Sequence, residues 1–444
     1  MNKEFHKKQN FFSFSDIDSE RKYRIMKFTS TEATPAPHVP PGVLRLTGAA
    51  KEDIPMYRIQ TMNKISPVGL NRFPSELYEV GDAVQDPQGI LVRSAKLLDL
   101  EFNPSLLAIA RAGVGVNNIP LDRCAAAGIP VFSTPGANAN AVKELVICAM
   151  LMGSRDIPGA IRWVREQAAS GVDVSTVVEK GKSAFIGPEL YKKTLGIIGL
   201  GAIGSIVANT AISLGMDVYG YDPFLSVDTA LRLDRHVHVV KDINDLYKRS
   251  DYITMHIHYT EKTARMIDAS AIAAMKRGVR VINLARGEIV DDEAMLTALD
   301  TGMVAAYITD FPNNRLLTAP HVIAMPHLGA STPESEQNCA AMAVDTLRDY
   351  LESGNIRSSV NLPEMTMDRS GVQRLCVLHK NVPGMLANIT SLFGRDGVNV
   401  ENLSNKSRGD YAYTMVDLGS KVGDNVIEDV RRTANVIRVR SLEW

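Results

Sequence analysis

The sequence predicts an α/β protein with two Rossmann-like, parallel-sheet lobes and a smaller ferredoxin-like domain at the C-terminus. From about residue 51 to residue 365, short apolar runs alternate with helical patterns, which is typical of parallel βαβ units. Beyond about residue 372 the order changes to βαββαβ, which is typical of a ferredoxin-like unit. The length of 444 residues supports several domains, because it exceeds what one hydrophobic core usually serves.

Buried strands are predicted where short, mainly apolar runs stand between turn signals. Those of the two large lobes are Gly89–Arg93, Leu106–Ala110, Ile129–Phe132, Thr194–Gly199, Asp217–Asp222, Tyr252–His256 and Val279–Asn283. In the C-terminal domain, the predicted strands and helices are Arg374–His379, helix Pro383–Phe393, Val398–Val400, Tyr411–Val416, helix Asn425–Thr433 and Val436–Val439.

These patterns divide the chain into four parts. The first lobe covers residues 51–150 and is completed by residues 326–365, the second lobe covers 151–325, and the C-terminal domain covers 372–444. Residues 1–50 end in the proline-rich stretch Pro35–Gly42 and show no sustained periodicity. We expect this extension to be poorly ordered.

The composition argues against several classes of function. The net charge of −1 gives no overall attraction for nucleic acid or an anionic membrane. No apolar run reaches the ~18 residues of a membrane-spanning helix, and the polar N-terminus does not resemble a secretory signal. The four cysteines are far apart, so we expect neither a disulfide framework nor a metal site, and a cytoplasmic location fits best.

A glycine-rich turn is the strongest local motif. Gly199, Gly201 and Gly204 follow an apolar strand and open a helix, and Asp222 ends the next strand about 18 residues later. This context predicts a dinucleotide site, with the pyrophosphate at the helix N-terminus. Because the carboxylate of Asp222 would accept hydrogen bonds from ribose hydroxyls and repel a 2′-phosphate, NAD is favoured over NADP.

Two further segments carry residues suited to hydride chemistry. Oxidation of a 2-hydroxy acid needs a cation for the carboxylate and a base for the hydroxyl proton. Arg286 stands just past a predicted strand, and His327 stands in a turn before a capped helix. In parallel α/β sheets such strand ends are where ligands bind.

Several motifs in this order resemble the D-isomer-specific 2-hydroxy-acid dehydrogenase family and, within it, the phosphoglycerate dehydrogenases. The resemblance covers roughly residues 56–444. The motifs are Arg111–Asn117, Thr134–Asn138 with Glu144-Leu145, Gly199–Gly204, Asn283–Asp291 and Pro326–Thr332.

The resemblance implies roles for individual residues. Arg286 would bind the substrate carboxylate and polarise the C2 oxygen, and His327 would be the acid/base. The remaining substrate residues would be Arg93, Ser94, Gly113, Val114 and Gly115. Besides the glycines and Asp222, the cofactor would contact Ala202, Ile203, Thr260, Ala285 and Arg286.

The sequence departs from the family pattern near the histidine. The family glutamate that pairs with the histidine corresponds to Asn314, and the strand aspartate corresponds to Thr309. Asp310 is the only carboxylate nearby, and we hypothesise that it supports His327. His258 replaces the usual proline of the loop after Tyr252–His256.

The C-terminal domain resembles the ACT regulatory domain of phosphoglycerate dehydrogenases. The resemblance implies that His379, Asn381 and Asn399 hold L-serine as an effector, in a homo-oligomer such as a dimer or tetramer. The alternative is that the asparagines are ordinary turn residues.

The implied function is oxidation of D-3-phosphoglycerate to 3-phosphohydroxypyruvate with NAD, the first step of serine biosynthesis from glycolysis. The candidate cations for the phosphate are Lys64, Arg93 and Lys143. Lys143 is equally well explained as a solvated charge on a helix. Two alternatives remain open: a dehydrogenase of another D-2-hydroxy acid, and a non-catalytic NAD-sensing binding protein on the same fold.

Overall fold

The structure, a computed structural model, describes residues 56–444. The predicted extension over residues 1–50 lies outside this range. The described residues form two parallel sheets and one antiparallel sheet, with helices between the strands. This architecture confirms the predicted fold class. None of the helices among the described residues is both long and apolar enough to cross a membrane.

The first sheet contains five parallel strands in the order β2-β1-β3-β4-β5. Its central strands consist of small or branched apolar residues that are buried on both faces, as a covered parallel sheet requires. The elements of this part are β1 (Tyr57–Thr61), α1 (Pro67–Leu70), β2 (Tyr78–Gly81), β3 (Gly89–Val92), β4 (Ala108–Arg111), α2 (Leu121–Ala126) and β5 (Val131–Phe132).

Three helices follow: α3 (Ala139–Arg155), α4 (Ile157–Ala169) and α5 (Val174–Gly181). Helix α3 leaves the first sheet and packs against the second. Val142, Val146 and Met150 recur at helical spacing on its buried face and enter the core beside the strands of the second sheet.

The second sheet contains seven parallel strands in the order β12-β11-β10-β9-β6-β7-β8. The strand order reverses between β6 and β9, and ligands of open α/β sheets bind at such a switch point. The elements are β6 (Thr194–Ile198), α6 (Ala202–Ser213), β7 (Asp217–Tyr221), α7 (Val227–Arg232), β8 (Val237–Val240), α8 (Ile243–Arg249), β9 (Tyr252–Met255), α9 (Ala269–Ala273), β10 (Val279–Asn283), α10 (Asp292–Asp300), β11 (Val304–Thr309) and β12 (Val322–Ala324).

Helix α11 (Pro333–Ser353) returns the chain to the first sheet. Its N-terminus is well specified: Thr332 Oγ1 accepts a hydrogen bond from the Ser335 N–H, and Pro333 occupies the first turn. The helix ends at Gly354, which adopts φ 75°. One face of α11 packs in the same core as strands β1, β3 and β4.

The C-terminal unit (residues 373–443) is an antiparallel sheet in the order β14-β15-β13-β16 with two helices on one face. Its elements are β13 (Gln373–Lys380), α12 (Met385–Arg395), β14 (Val400–Arg408), β15 (Tyr411–Leu418), α13 (Asp424–Arg432) and β16 (Val436–Glu443). The predicted βαββαβ order is confirmed. The predicted strand Val398–Val400 is wrong in extent, because β14 begins where that prediction ends. An exposed edge strand rich in polar residues lacks the apolar run that signals a strand.

The other face of this sheet packs on helix α11. Cys376, Leu378, Tyr413 and Met415 are buried in the core that α11 shares with the first sheet. The last carbonyl groups of a helix have no partner within the helix. Side chains of the C-terminal unit supply those partners, because Arg440 donates to the carbonyls of Tyr350 and Leu351, Tyr413 to that of Gly354, and Arg374 to that of Ser353.

A buried ion pair completes this contact. The Arg374 guanidinium donates two hydrogen bonds to Asp417, with nitrogen–oxygen distances of 2.6 and 2.7 Å, and both side chains are 0% exposed. Asp417 also accepts from the backbone and the hydroxyl of Ser370. The pair therefore fixes the segment that connects α11 to the C-terminal unit.

We expect Asp417→Asn to lower the free energy of unfolding by about 3–5 kcal/mol, because it leaves a buried guanidinium without its counter-charge. The matched control is Asp345→Asn, which breaks the half-exposed pair with Arg72 and should cost about 0–1 kcal/mol. Urea unfolding of the two variants measures the difference. Equal losses would contradict the importance assigned to the buried pair.

Candidate active site

The glycine-rich turn lies at the carboxyl end of β6, beside the switch point of the second sheet. Gly199 adopts φ 91°, a conformation that favours glycine, and its N–H donates to the Tyr221 carbonyl. A Cβ on Gly204 would lie 1.9 Å from the Gly199 oxygen, so helix α6 can pack on β6 only with glycine there. Both residues therefore serve the geometry of the turn.

Gly201 has a different environment. It is the N-cap of α6, and a Cβ built on it would meet no protein atom within 4 Å. Its surroundings are open at the position where the first residues of the helix, Ala202 and Ile203, present N–H groups that have no partner within the helix. This open cradle at a helix N-terminus fits the pyrophosphate of a dinucleotide.

Asp222 follows β7 and faces this turn. One carboxylate oxygen accepts a hydrogen bond of 2.9 Å from the Leu200 N–H, and the other accepts one of 2.8 Å from the Phe224 N–H. These bonds fix the carboxylate beside the glycine turn. The arrangement fits recognition of a ribose by the acidic residue at the end of the second strand.

The loop after β9 forms the other side of the crevice. The carbonyl of His256 would lie 2.6 Å from a Cβ on Gly199, so the two segments touch. Burial lowers the pKa of His256 to about 3, so this imidazole is neutral at physiological pH. Thr260 bonds with Thr263, whose hydroxyl donates to the carbonyl of His258. The loop that carries the unusual His258 is therefore closed by threonine hydrogen bonds.

Arg286 lies just beyond β10, and a buried asparagine shapes its turn. The Asn283 side chain accepts from the Ala285 N–H and donates to the Arg286 carbonyl. The Arg286 guanidinium then extends toward the loop that follows β4. A Cβ on Gly115 would lie 3.3 Å from Nη2 of Arg286. The structure thus brings together Arg286 and the predicted loop Gly113–Gly115, including Val114.

Two more guanidinium groups lie in the same place, at the ends of β3 and β4. Arg111 Nε donates to the carbonyl of Arg93, and Nη1 of Arg111 lies beside Gly113 and Gly115. Burial lowers the pKa of Arg111, and the positive charges of Arg286 and Arg93 lower it as well. Three guanidinium groups that repel one another therefore converge on the cleft between the sheets, which favours an anionic ligand.

A single amide orients the segment that carries Arg93. The Asn63 side-chain oxygen accepts from the backbone N–H groups of Arg93, Ser94 and Ala95. Lys64 is exposed beside it. Lys143 lies on α3, where its ammonium contacts Asn140 at 2.7 Å, with a Glu144 oxygen 3.7 Å away.

His327 is exposed in the loop before α11 and packs on an aromatic ring. The ring centroids of His327 and Phe311 are 4.7 Å apart, and the Arg286 guanidinium carbon lies 5.9 Å from the same Phe311 centroid. Phe311 therefore lies between the two residues that the sequence assigned to catalysis.

Asp310 lies under the His327 loop and contacts its backbone. The side chain is 1% exposed, and Oδ2 accepts a hydrogen bond of 3.1 Å from the Gly329 N–H. Its Oδ1 is buried and has no hydrogen-bond partner among residues 56–444. Burial raises the pKa of Asp310, whereas the N–H groups of Leu328 and Gly329 and the charge of His327 act in the opposite direction.

Asn314, at the position of the family glutamate, is exposed and forms no hydrogen bond to His327 in the described part of the chain. Thr309 is fully buried, and its hydroxyl accepts from the Phe311 N–H. Asp310 is therefore the carboxylate that the fold brings to the loop.

The three residues predicted to bind an effector do not meet within one chain. His379 is 2% exposed, and both ring nitrogens are engaged, with the Lys380 carbonyl and the Thr414 hydroxyl. Asn381 follows the end of β13 that pairs with Tyr411, whereas Asn399 precedes the end of β14 that pairs with Leu418. Seven residues of strand separate these ends, which is about 23 Å.

The sequence did not predict roles at the site for three residues: Arg111, Phe311 and Asn63. Arg111 begins a motif quoted for the resemblance, and its position at a strand end is the same signal that singled out Arg93 and Arg286. Phe311 and Asn63 carry no sequence signal of their own, since their roles depend on contacts with distant segments.

Comparisons with known proteins agree with this geometry. Residues 147–329 match the family model described as D-isomer specific 2-hydroxyacid dehydrogenase, NAD binding domain. A solved structure of cofactor(NAD+) bound 3-phosphoglycerate dehydrogenase from Entamoeba histolytica superposes with a TM-score of 0.54 and 26% identity, covering 69% of this chain and 99% of that one.

Relatives named D-3-phosphoglycerate dehydrogenase include one from Synechocystis sp. and one from Haemophilus influenzae. The one from Synechocystis sp. is 36% identical over 71% of this chain, which spans only 56% of the length of that relative. The one from Haemophilus influenzae is 31% identical, and the match covers 82% of this chain and 88% of that relative. On these similarities the chain belongs to the D-isomer specific 2-hydroxyacid dehydrogenase family.

Proposed function

We propose that this protein oxidises D-3-phosphoglycerate to 3-phosphohydroxypyruvate with NAD. The observation that carries the proposal is the convergence of Arg93, Arg111 and Arg286 beside His327, across the crevice from the glycine turn. The names of the relatives from Synechocystis sp. and H. influenzae support this choice of substrate.

The cofactor proposal rests on the shape and charge of the crevice. Gly201 leaves room at the N-terminus of α6, and Asp222 supplies a fixed carboxylate for ribose hydroxyls. Ala202, Ile203, Thr260 and Ala285 would form the remaining contacts. NAD held there would supply the hydride acceptor for the oxidation at C2 of the substrate.

The protein residues would hold the substrate and move one proton. Arg286 and the N–H groups of Gly113–Gly115 would bind the carboxylate and polarise the C2 oxygen. His327 would accept the hydroxyl proton as the C2–H bond breaks, and its exposed position lets that proton pass to water. Phe311 would keep Arg286 and His327 at a fixed separation.

The phosphate would bind Arg93 and Arg111, with Ser94 beside them. A phosphate monoester carries about −1.5 to −2 charges at neutral pH. Together with the carboxylate it would balance the three guanidinium groups. Lys143 is a weaker candidate, because it already contacts Asn140 and Glu144. Lys64 is exposed and near Asn63, so it could add charge at the rim.

The C-terminal unit would act as an ACT-type sensor of L-serine in a homo-oligomer. Its βαββαβ topology supports this proposal. Because Asn381 and Asn399 lie at opposite ends of the sheet, one serine could contact both only between two chains, and His379 would have to give up its present hydrogen bonds. We also propose that the first lobe covers residues 51–150 and 326–365, the second lobe residues 151–325 and the C-terminal domain residues 372–444. A cytoplasmic location is consistent with the four free cysteines.

The first test is NADH oxidation with 3-phosphohydroxypyruvate, with and without L-serine. We expect turnover that serine inhibits, and Asn381→Ala should weaken the inhibition without changing the uninhibited rate.

His327→Asn should lower kcat by about 10²–10⁴-fold, because the acid/base is lost. Turnover of a different 2-oxo acid would overturn the substrate proposal. NADH binding without any turnover would favour the binding-protein alternative, for which the uncharged Asn314 is the supporting observation.

A pair of glycine variants tests the cofactor site. Gly201 has φ −66°, so Gly201→Ala should fold normally yet weaken NAD binding by about tenfold or more, because its Cβ enters the space of the pyrophosphate. Gly204→Ala should instead lower the free energy of unfolding by about 1–3 kcal/mol, since its Cβ collides with the Gly199 carbonyl. NADH fluorescence and thermal unfolding distinguish the two. Normal NAD affinity in Gly201→Ala would contradict the proposed site.

Asp310→Asn tests the support of His327. We expect kcat to fall, because the negative charge that interacts with His327 is removed. The free energy of unfolding of Asp310→Asn should be larger than that of the wild type at neutral pH. Since burial raises the pKa of Asp310 above its unfolded value of about 3.9, the wild type loses stability as pH rises through that raised pKa, and the variant does not. An unchanged rate and pH profile would refute the role.

A further inference from the structure

One of the three arginines at the cleft is already paired with a carboxylate. Nη2 of Arg93 lies 2.5 Å from Oε1 of Glu336, and both side chains are 43% exposed. Glu336 belongs to the first turn of α11, and Cys339, one turn further on, is close enough to affect Arg111. The N-terminal end of α11 therefore contributes a negative charge to the same guanidinium cluster.

This carboxylate has the same chemistry as the groups that the cluster is suited to bind. A guanidinium binds carboxylate and phosphate with the same planar set of donors, so Glu336 and a ligand phosphate compete for Arg93. A half-exposed ion pair is weak and shifts an equilibrium by no more than about fivefold. A dianionic phosphate facing Arg93 and Arg111 together can displace it, whereas a neutral group cannot.

We propose that Glu336 holds Arg93 when substrate is absent and is displaced by the phosphate of the substrate, so that it weakens the binding of phosphorylated but not of unphosphorylated 2-oxo acids. This inference rests on the proposed function, in which Arg93 binds the phosphate. A substrate with an uncharged end leaves Arg93 paired with Glu336. A phosphorylated substrate releases Glu336 from Arg93 and thereby changes the contacts at the start of α11.

The test compares Glu336→Gln with Glu334→Gln. Both residues are exposed and lie in the first turn of α11, so the two variants remove the same favourable charge from the helix N-terminus, but only Glu336 contacts Arg93. We expect Glu336→Gln to lower KM for 3-phosphohydroxypyruvate about two- to fivefold with kcat unchanged. KM for unphosphorylated hydroxypyruvate should stay the same, and Glu334→Gln should behave as the wild type with both substrates.

Three results would overturn the inference: an unchanged or higher KM for 3-phosphohydroxypyruvate in Glu336→Gln, an equal decrease for hydroxypyruvate, or the same decrease in Glu334→Gln. The last would indicate a general effect of charge at the helix end.

Binding of inorganic phosphate, measured by calorimetry, separates this inference from the proposed function because it needs no turnover. Glu336→Gln should bind phosphate about two- to fivefold more tightly than the wild type. If neither protein oxidises NADH with any 2-oxo acid but this difference remains, the proposed function fails and the competition for Arg93 stands. If turnover is observed but phosphate binds both proteins equally, the competition fails and the proposed function stands.

Discussion

Parallel strands all end at the same edge of a sheet, and this constraint fixes where the chemistry of the molecule can lie. Arg93, Arg111 and Arg286 each stand at or just beyond the carboxyl end of a strand, and Gly199 follows another. The two sheets turn these edges toward one cleft, so side chains that are nearly 200 residues apart in the chain converge. In the proposed function, the anionic groups of the substrate and of the dinucleotide would therefore bind in one place.

Helix α11 connects this cleft to the C-terminal unit. Its first turn follows the His327 loop and carries Glu336, and its last carbonyl groups bind Arg374, Tyr413 and Arg440. A helix is stiff along its axis, because its backbone hydrogen bonds run nearly parallel to that axis. A movement of the C-terminal sheet that shifted α11 along its axis would also shift the loop that carries His327. Helix α11 thus connects the loop that carries His327 directly to the C-terminal unit.

The sequence predicted those features that have local physical causes. The glycine turn could be predicted because Gly199 and Gly204 are required by nearby backbone and Gly201 leaves the helix N-terminus open, and most strands could be predicted from their apolar runs. Strand β14 was predicted too short because an exposed edge strand carries polar residues. The sequence also suggested Asp310 near His327, but not that its carboxylate binds the loop backbone. The Arg93–Glu336 pair joins segments 243 residues apart, so no local pattern could indicate it.

The burial of Cys376, Leu378 and Tyr413 against α11 has an evolutionary consequence. A domain attached only by a linker can be exchanged between genes or deleted without harm to its neighbour. In this chain such a deletion would expose an apolar surface on α11 and strip its final turn of hydrogen-bond partners, which favours aggregation. Recombination could transfer the C-terminal unit to another dehydrogenase only together with the complementary surface of α11, so the two must diverge as a pair.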